Sequence, residues 1–512
     1  MKNKLIPLAF SIFLFFGGFS LWKFVNFQRI DYHSYNQYIE LLEKVQNIYP
    51  EKQDSAELIY SSIDGMIQFL DPHSNFLDPK AYKSMLQRQE GRFSGIGILV
   101  GLRNGKVTVI SPVEGTPAYR LGVRAGDIIA EIDGEPTDNM SLNDVVDKLR
   151  GPKGSTVEVT FIRRGVKEPI KLSIKREVIT ETSVRYPVIL ENKIGYIRIT
   201  DFNRTTTDEL KDALKKLKEE GMEKVLIDLR DNPGGILEQA IKISGLFLKP
   251  NSLVVYTRGR DASSVMEFKT EPKSNPYKIP LIILVNKGSA SASEIVAGAM
   301  QDHDRALIVG ETTFGKGLVQ SVYELYQDAA LALTTARYYI PSGRCIQRDY
   351  TFLTDYLKGV NGKTKETEYY TDAGRKVYGD GGVTPDIQLS PEKFSMVQMK
   401  LQGLGLYFNF ALEYIEKNPD IKENFELSQE TLRDFFNYLI ENKWFSKEDI
   451  EKILSDQNEL KNIKFMLKRE ILSAKFGMTK GYQLTLKEDE QILNAIQYFE
   501  KAEEFSKNYF NN

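Results

Sequence analysis

Leu281-Ile282-Ile283-Leu284-Val285-Asn286-Lys287-Gly288-Ser289-Ala290-Ser291-Ala292-Ser293-Glu294 is the stretch from which the fold of this 512-residue chain is read. Five apolar residues predict a strand, Asn286-Lys287-Gly288 a turn, and the Ser/Ala run the start of a helix over Ser291–Met300. Small side chains at a strand-to-helix turn let another backbone approach closely. A serine at a helix start lies near unpaired N–H groups and the positive end of the helix dipole, which favours a developing oxyanion. Taken alone, the same pattern also describes an N-cap serine followed by a small-residue packing face.

Around that stretch, strand-like and helix-like segments alternate from about Tyr186 to Leu389. Strands are expected at Ile194–Ile199, Lys224–Leu229, Leu253–Tyr256 and Ala306–Val309, and amphipathic helices at Thr207–Glu219 and Ile236–Phe247, a layered α/β core. Upstream, Ala81–Arg176 changes character. Apolar alternation at Ile96, Ile98 and Val100, then Val107 and Val109, brackets a turn at Asn104-Gly105, and Asp133-Gly134 follows the run Ile128–Ile132. Ser141 with Asp144 signals the start of a helix through Leu149, ended by Gly151-Pro152, and strands Val157–Ile162 and Ile170–Ile174 follow. That is the element order of a bacterial PDZ domain. Glu57–Leu70 has helical spacing and is stopped by Asp71-Pro72-His73-Ser74; beyond Ser395 the chain reads as helical and aromatic. The expected organisation is a multidomain α+β protein: 1–29 a membrane anchor or signal segment, 30–80 a helical cap, 81–178 a PDZ domain, 179–394 the core, and 395–512 a helical C-terminal region.

Composition excludes several classes. Lys and Arg number 68 against 70 Asp and Glu, and no long basic run exists, so nothing draws the chain to nucleic acid. Cys345 is the single cysteine, which rules out an intramolecular disulfide and a Cys-rich zinc site. His33, His73 and His303 are the only histidines and no H-E-x-x-H occurs, so hydrolytic chemistry must be built largely without histidine or zinc. Leu5–Trp22 is apolar and flanked by Lys4 and Lys23, long enough to span a bilayer as a retained anchor. A cleaved signal peptide is the rival reading, although no A-x-A-like site follows.

Two further motifs can carry chemistry. In Gly310-Glu311-Thr312-Thr313-Phe314-Gly315-Lys316-Gly317-Leu318-Val319-Gln320, a lysine between glycines could act as a general base if its surroundings lowered its pKa, and otherwise reads as a solvated loop lysine. In Asp228-Leu229-Arg230-Asp231-Asn232-Pro233-Gly234-Gly235, two glycines expose backbone N–H groups that could face an anion, or simply form a β-to-α turn. Together with S-A-S-A-S-E, these motifs resemble the carboxyl-terminal processing peptidases, also called tail-specific proteases, over about Ser55–Leu389. The resemblance implies a crotonase-like α/β core, Ser291 as nucleophile, Lys316 as base and Gln320 orienting the lysine. It also implies oxyanion donors from Gly234 or Gly235 and from Ala292, with Ser289 and Ser293 structural and no metal or organic cofactor. In an ideal strand Lys316 and Gln320 would lie ~13 Å apart, so Gly317 would have to permit a bend.

In the PDZ segment, Ser94-Gly95-Ile96-Gly97-Ile98 resembles the loop whose N–H groups bind a terminal carboxylate, and Arg150 ends the neighbouring helix, where it could contact substrate or simply be solvated. His303 lies twelve residues after Ser291 (303 − 291), ~18 Å away on a continuous helix, and reads as a helix-end residue. The resulting expectation is a serine endopeptidase that captures free C-terminal tails of protein or peptide substrates. The family's usual setting is the cell envelope, which implies an anchored enzyme with its catalytic part in the periplasm or outside the cytoplasm. The alternatives are an inactive anchored PDZ scaffold and a crotonase-like acyl-CoA enzyme, which would need no Lys316-dependent nucleophile.

Overall fold

The computed structural model describes residues 32–261, 264–349, 367–390 and 395–511. The apolar run Leu5–Trp22 lies outside the described residues, among which no helix is long and apolar enough to cross a membrane. The chain divides into two compact units, Met1–Asp78 with Tyr323–Ala332, and Pro79–Val322 with Leu333–Asn512.

In the first unit, helices Tyr32–Ile48 and Ser55–Gln68 precede a short strand, Asn75–Leu77. Asp54 caps the second helix by accepting from the N–H groups of Ala56 and Glu57. The turn after it is closed by the Asp71 carboxylate, which accepts from His73 N, Ser74 N and Ser74 Oγ. The short strand pairs antiparallel with Ala330–Ala332.

The second unit opens with helix Pro79–Glu90, where the β-rich domain had been expected to begin; the helix buries no residue, so its sequence carries no apolar stripe to announce it. The PDZ domain follows as strands Ile98–Arg103, Lys106–Pro112, Ile128–Ile132, Thr156–Ile162 and Ile170–Lys175 in that spatial order. Asn104 and Gly105 turn the first hairpin and Asp133 and Gly134 another, all four with positive φ. Ser141 and Asp144 form the expected capping box on helix Leu142–Leu149. The segments entering and leaving the domain, Arg92–Gly95 and Glu177–Thr180, pair antiparallel.

The core is a six-stranded sheet whose spatial order follows chain order: β1 (Val184–Leu190), β2 (Ile194–Ile199), β3 (Lys224–Asp228), β4 (Leu281–Val285), β5 (Leu307–Gly310) and β6 (Ile387–Gln388). β1 is antiparallel to β2 and every later pair is parallel. All five residues of β4 are fully buried. Leu281, Ile283 and Val285 face helices α1 (Thr206–Glu219), α2 (Leu237–Gly245) and α3 (Ala292–Asp302). Ile282 and Leu284 face the opposite layer, to which the chain's last segments contribute Leu486, Ile492, Ala495, Phe499 and Ala502. Its helices are α4 (Met478–Thr485), α5 (Glu490–Ile496) and α6 (Phe499–Asn511). Parallel strands buried on both faces read as continuous apolar runs, which is why β4 was legible. Between residues 396 and 476, helices enclose a separate core that includes Leu401, Phe410, Phe435, Leu439, Ile463 and Leu467.

The helices from Met478 onward therefore complete the core sheet. Phe499→Ala, deep in the second layer, should lower unfolding free energy by about 3–5 kcal/mol, read from the denaturant midpoint at constant slope. A loss under about 1 kcal/mol would mean that these helices do not seal the sheet.

Candidate active site

The turn after β4 is tied down by the two outer serines. Ser289 Oγ accepts from Asn286 N at 3.0 Å and donates to Leu229 O at 2.8 Å, and Ser293 Oγ donates to Asn232 O at 3.0 Å. Both serines are fully buried, so both stitch the turn to the loop after β3. Ser291, between them, is partly exposed and adopts φ 54°, ψ −112°, a conformation that side-chain-bearing residues rarely adopt. A strained strand-to-helix turn of this kind projects a side chain away from the backbone that carries it.

Glu294 closes the turn from beneath. Its fully buried carboxylate accepts Ser291 N at 2.8 Å and Lys316 N at 2.9 Å on Oε2, and Gly315 N at 2.7 Å and Thr313 Oγ1 at 2.5 Å on Oε1. Burial pushes its carboxyl group above the ordinary range, against the opposing pull of these donors. Phe314 N also donates to Ser289 O at 2.9 Å. The backbones of Ser291 and Lys316 are thus registered on one side chain. The S-x-x-E spacing of Ser291 and Glu294 was a visible capping signal, but the sequence reading gave Glu294 no role.

Lys316 Nζ donates to Gln320 Oε1 at 3.0 Å; Lys316 lies in the loop before strand Leu318–Glu324 rather than in one ideal strand with Gln320. Between them, Gly317 N donates to Gln347 Oε1 at 2.8 Å, and a Cβ on Gly317 would lie 2.7 Å from Gln347 N. Gln347 is a second residue absent from the sequence reading, and no spacing signal marks it.

On the other side of Ser291 lies the glycine loop. Gly234 N donates to Asn232 Oδ1 at 2.9 Å, whereas the N–H groups of Gly235 and Ala292 have no acceptor among the described residues. A Cβ on Gly234 would lie 2.8 Å from Ala292 N, which places the loop directly against the start of α3. Of the two glycines expected as donors, Gly235 is the one whose N–H is uncommitted; Gly234 provides close approach. Asn232, whose Nδ2 donates to Ile199 O at 2.8 Å, holds the loop and was likewise missed.

His303 is far from this chemistry in its bonding: Nδ1 pairs with Asp372 Oδ2 and Nε2 with Leu253 O, each at 2.7 Å. In the PDZ domain, the N–H groups of Ile96 and Gly97 have no acceptor among the described residues, and Gly95 and Ile98 flank them. The Arg150 guanidinium lies 4.7 Å from the centre of the Phe93 ring. Both residues line a cavity of about 470 Å³ whose wall also includes Arg88, Arg185 and Asp201. Asp201 borders the glycine loop, since a Cβ on Gly235 would lie 2.9 Å from its Oδ1. Among the described residues no cluster of side chains could hold a metal ion.

The model of peptidase family S41 matches residues 193–357, that of the PDZ domain 108–163, and that of a probable PDZ-protease C-terminal helical domain 397–462. A carboxy-terminal-processing protease of Bartonella bacilliformis is 41% identical over 63% of this chain and 74% of its own. The carboxy-terminal processing protease CtpA of Bacillus subtilis is 33% identical over 76% and 83%. Among solved structures, a photosystem II D1 C-terminal processing protease is 28% identical over 72% of this chain and 95% of its own, with TM-score 0.36.

Glu294→Gln places an amide donor against N–H donors. Turnover should fall on the order of 100-fold through misplacement of the site, with stability reduced by about 1–3 kcal/mol. Circular dichroism and steady-state kinetics on the same preparation check this; unchanged turnover would show that the carboxylate does not register the site.

Proposed function

The chain belongs to the carboxy-terminal processing proteases of peptidase family S41, and on that premise we propose that it cleaves proteins near their C-terminal tails with a Ser291–Lys316–Gln320 centre. The carrying observation is the 3.0 Å bond from Lys316 Nζ to Gln320 Oε1, on a loop whose backbone shares the Glu294 carboxylate with Ser291 N.

Neutral Lys316 takes the Ser291 Oγ proton as Oγ attacks the scissile carbonyl carbon. The carbonyl oxygen becomes an anion that accepts from Gly235 N–H and Ala292 N–H, the two uncommitted donors beside Ser291. Collapse breaks the C–N bond, the Lys316 ammonium gives its proton to the leaving amine, and an acyl-enzyme remains. Water, deprotonated by Lys316, attacks the ester; release returns the proton to Ser291. Gln320 orients the amine throughout by accepting one of its N–H bonds. The PDZ domain binds the substrate tail, its carboxylate on the Ile96 and Gly97 N–H groups between Gly95 and Ile98, with Arg150 facing the cavity that leads toward Asp201. Leu5–Trp22 anchors the enzyme in the membrane, with the catalytic part outside the cytoplasm.

Ser291→Ala and Lys316→Ala should each reduce peptide cleavage to background, and Ser291→Ala should abolish labelling by a fluorophosphonate that Ser289→Ala and Ser293→Ala still take up. Labelling that survives Ser291→Ala would move the nucleophile elsewhere, and an unlabelled, inactive wild type would favour the scaffold reading. Because only neutral lysine accepts a proton, turnover should rise with pH, and His303→Gln should leave that ascending limb in place. Peptides with a free apolar C-terminus should be cut faster than the same peptides amidated; equal rates would remove the tail-reading role and leave the protease assignment standing.

A further inference from the structure

Arg230 lies between the last residue of β3 and the turn that ends in Gly235, and its guanidinium is buried at 5% exposure. Asp228 meets part of it, accepting Nε at 3.1 Å and Nη2 at 2.8 Å. The remaining edge is met from the far end of the chain. Nη2 donates to Asp489 Oδ2 at 3.0 Å, and Nη1 donates to Asp489 Oδ1 at 3.3 Å and to Gln491 Oε1 at 3.0 Å. A second tether runs beside the first: Arg198 donates to Tyr482 Oη at 2.6 Å and, through Nη2, to Arg230 O at 3.1 Å.

We propose that Asp489 and Gln491 are positioning residues for the oxyanion loop, acting through Arg230; this rests on Gly235 N–H being an oxyanion donor. The route is short and without slack. Gly235 follows Arg230 by five positions (235 − 230), and the intervening loop is held at several points. Asp231, at φ 58°, donates its N–H to Asn286 Oδ1 at 2.9 Å, Asn232 holds Ile199 O and Gly234 N, and Phe202 N donates to Gly234 O at 3.1 Å. A displaced guanidinium has no flexible segment in which to lose its displacement before Gly235. Burial alone would pull the Arg230 guanidinium down, but the charges of Asp228 and Asp489 outweigh it and hold it well above its ordinary value. It is therefore a fixed cation that must keep its carboxylates. Asp489 also caps α5 by accepting from Gln491 N and Ile492 N, each at 3.1 Å. A change that keeps the cap and removes the charge therefore separates the two duties.

Asp489→Asn is that change, since asparagine caps as well as aspartate; Gln491→Met removes the other acceptor at similar volume. In the full-length enzyme, kcat/KM and kcat should fall together by about 10- to 100-fold in Asp489→Asn and by a smaller factor in Gln491→Met, with KM unchanged, because a misplaced donor is felt only in the transition state. A peptide boronate, which presents its own oxyanion, should weaken by the same factor as kcat/KM. In a Gly235→Ala background, where a Cβ 2.3 Å from Phe202 O already forces the donor out of place, Asp489→Asn should add little. Wild-type kcat/KM in both folded single variants, a loss confined to KM, or full additivity with Gly235→Ala would each overturn the proposal. If Gly235→Ala itself leaves kcat/KM intact, the oxyanion reading fails and takes this proposal with it; if Gly235→Ala is impaired while Asp489→Asn is not, only the positioning role fails.

Discussion

A carboxylate buried without a counter-ion costs several kcal/mol unless its lone pairs are filled. Glu294 fills them with four donors from two chain segments: Ser291 N from its own turn, and Thr313 Oγ1, Gly315 N and Lys316 N from the loop after β5. Donors drawn to one carboxylate cannot move independently, so the spacing between the Ser291 turn and the Lys316 loop is set by a single side chain. Ser289 and Ser293 set the other spacing, between the Ser291 turn and the glycine loop, by donating to Leu229 O and Asn232 O. The strained φ of Ser291 persists because both neighbours of its turn are fixed.

The parallel sheet supplies the geometry in which one residue can do this. β3, β4 and β5 are adjacent and point the same way, so the loops at their carboxyl ends emerge side by side. The β3 loop brings the glycines, the β4 loop the serine, and the β5 loop the lysine. A centre without histidine in reach is then a matter of which side chains those three loops carry. His303, at the far end of α3, is committed to Asp372 and Leu253.

What could be read from the sequence was whatever depends on near neighbours. β4 and the helix after it follow from an apolar run and a serine start, the PDZ helix from Ser141 and Asp144, and its first hairpin from Asn104-Gly105. What could not be read depends on partners distant along the chain. Lys316 meets Gln320 across Gly317, whose N–H is held by Gln347, thirty residues later. The pattern S-x-x-E at Ser291 announces a cap, but not that the same carboxylate also gathers the loop after β5. The choice between Gly234 and Gly235 turns on the side chain of Asn232, which takes one N–H and leaves the other. Helical periodicity after Ser395 showed buried faces without showing that Phe499 and Ala502 bury theirs on the catalytic sheet.

The glycine loop is held from two directions of unequal stiffness. On one side, Arg230 is buried between Asp228 and Asp489, and breaking such an arrangement costs about 3–5 kcal/mol because a charge is left stranded. On the other, Asp201 borders Gly235 and pairs with Arg88 at 2.9 Å, an arginine side chain 66% exposed, in a contact worth about 0–1 kcal/mol. Arg88 lies on helix Pro79–Glu90, which leads into the paired strands flanking the PDZ domain, and it shares the cavity wall with Arg150. A displacement of the PDZ domain is therefore resisted little at Arg88–Asp201 and strongly at Arg230–Asp489. The loop is thus held firmly where Arg230 meets Asp489 and only weakly where Asp201 meets Arg88.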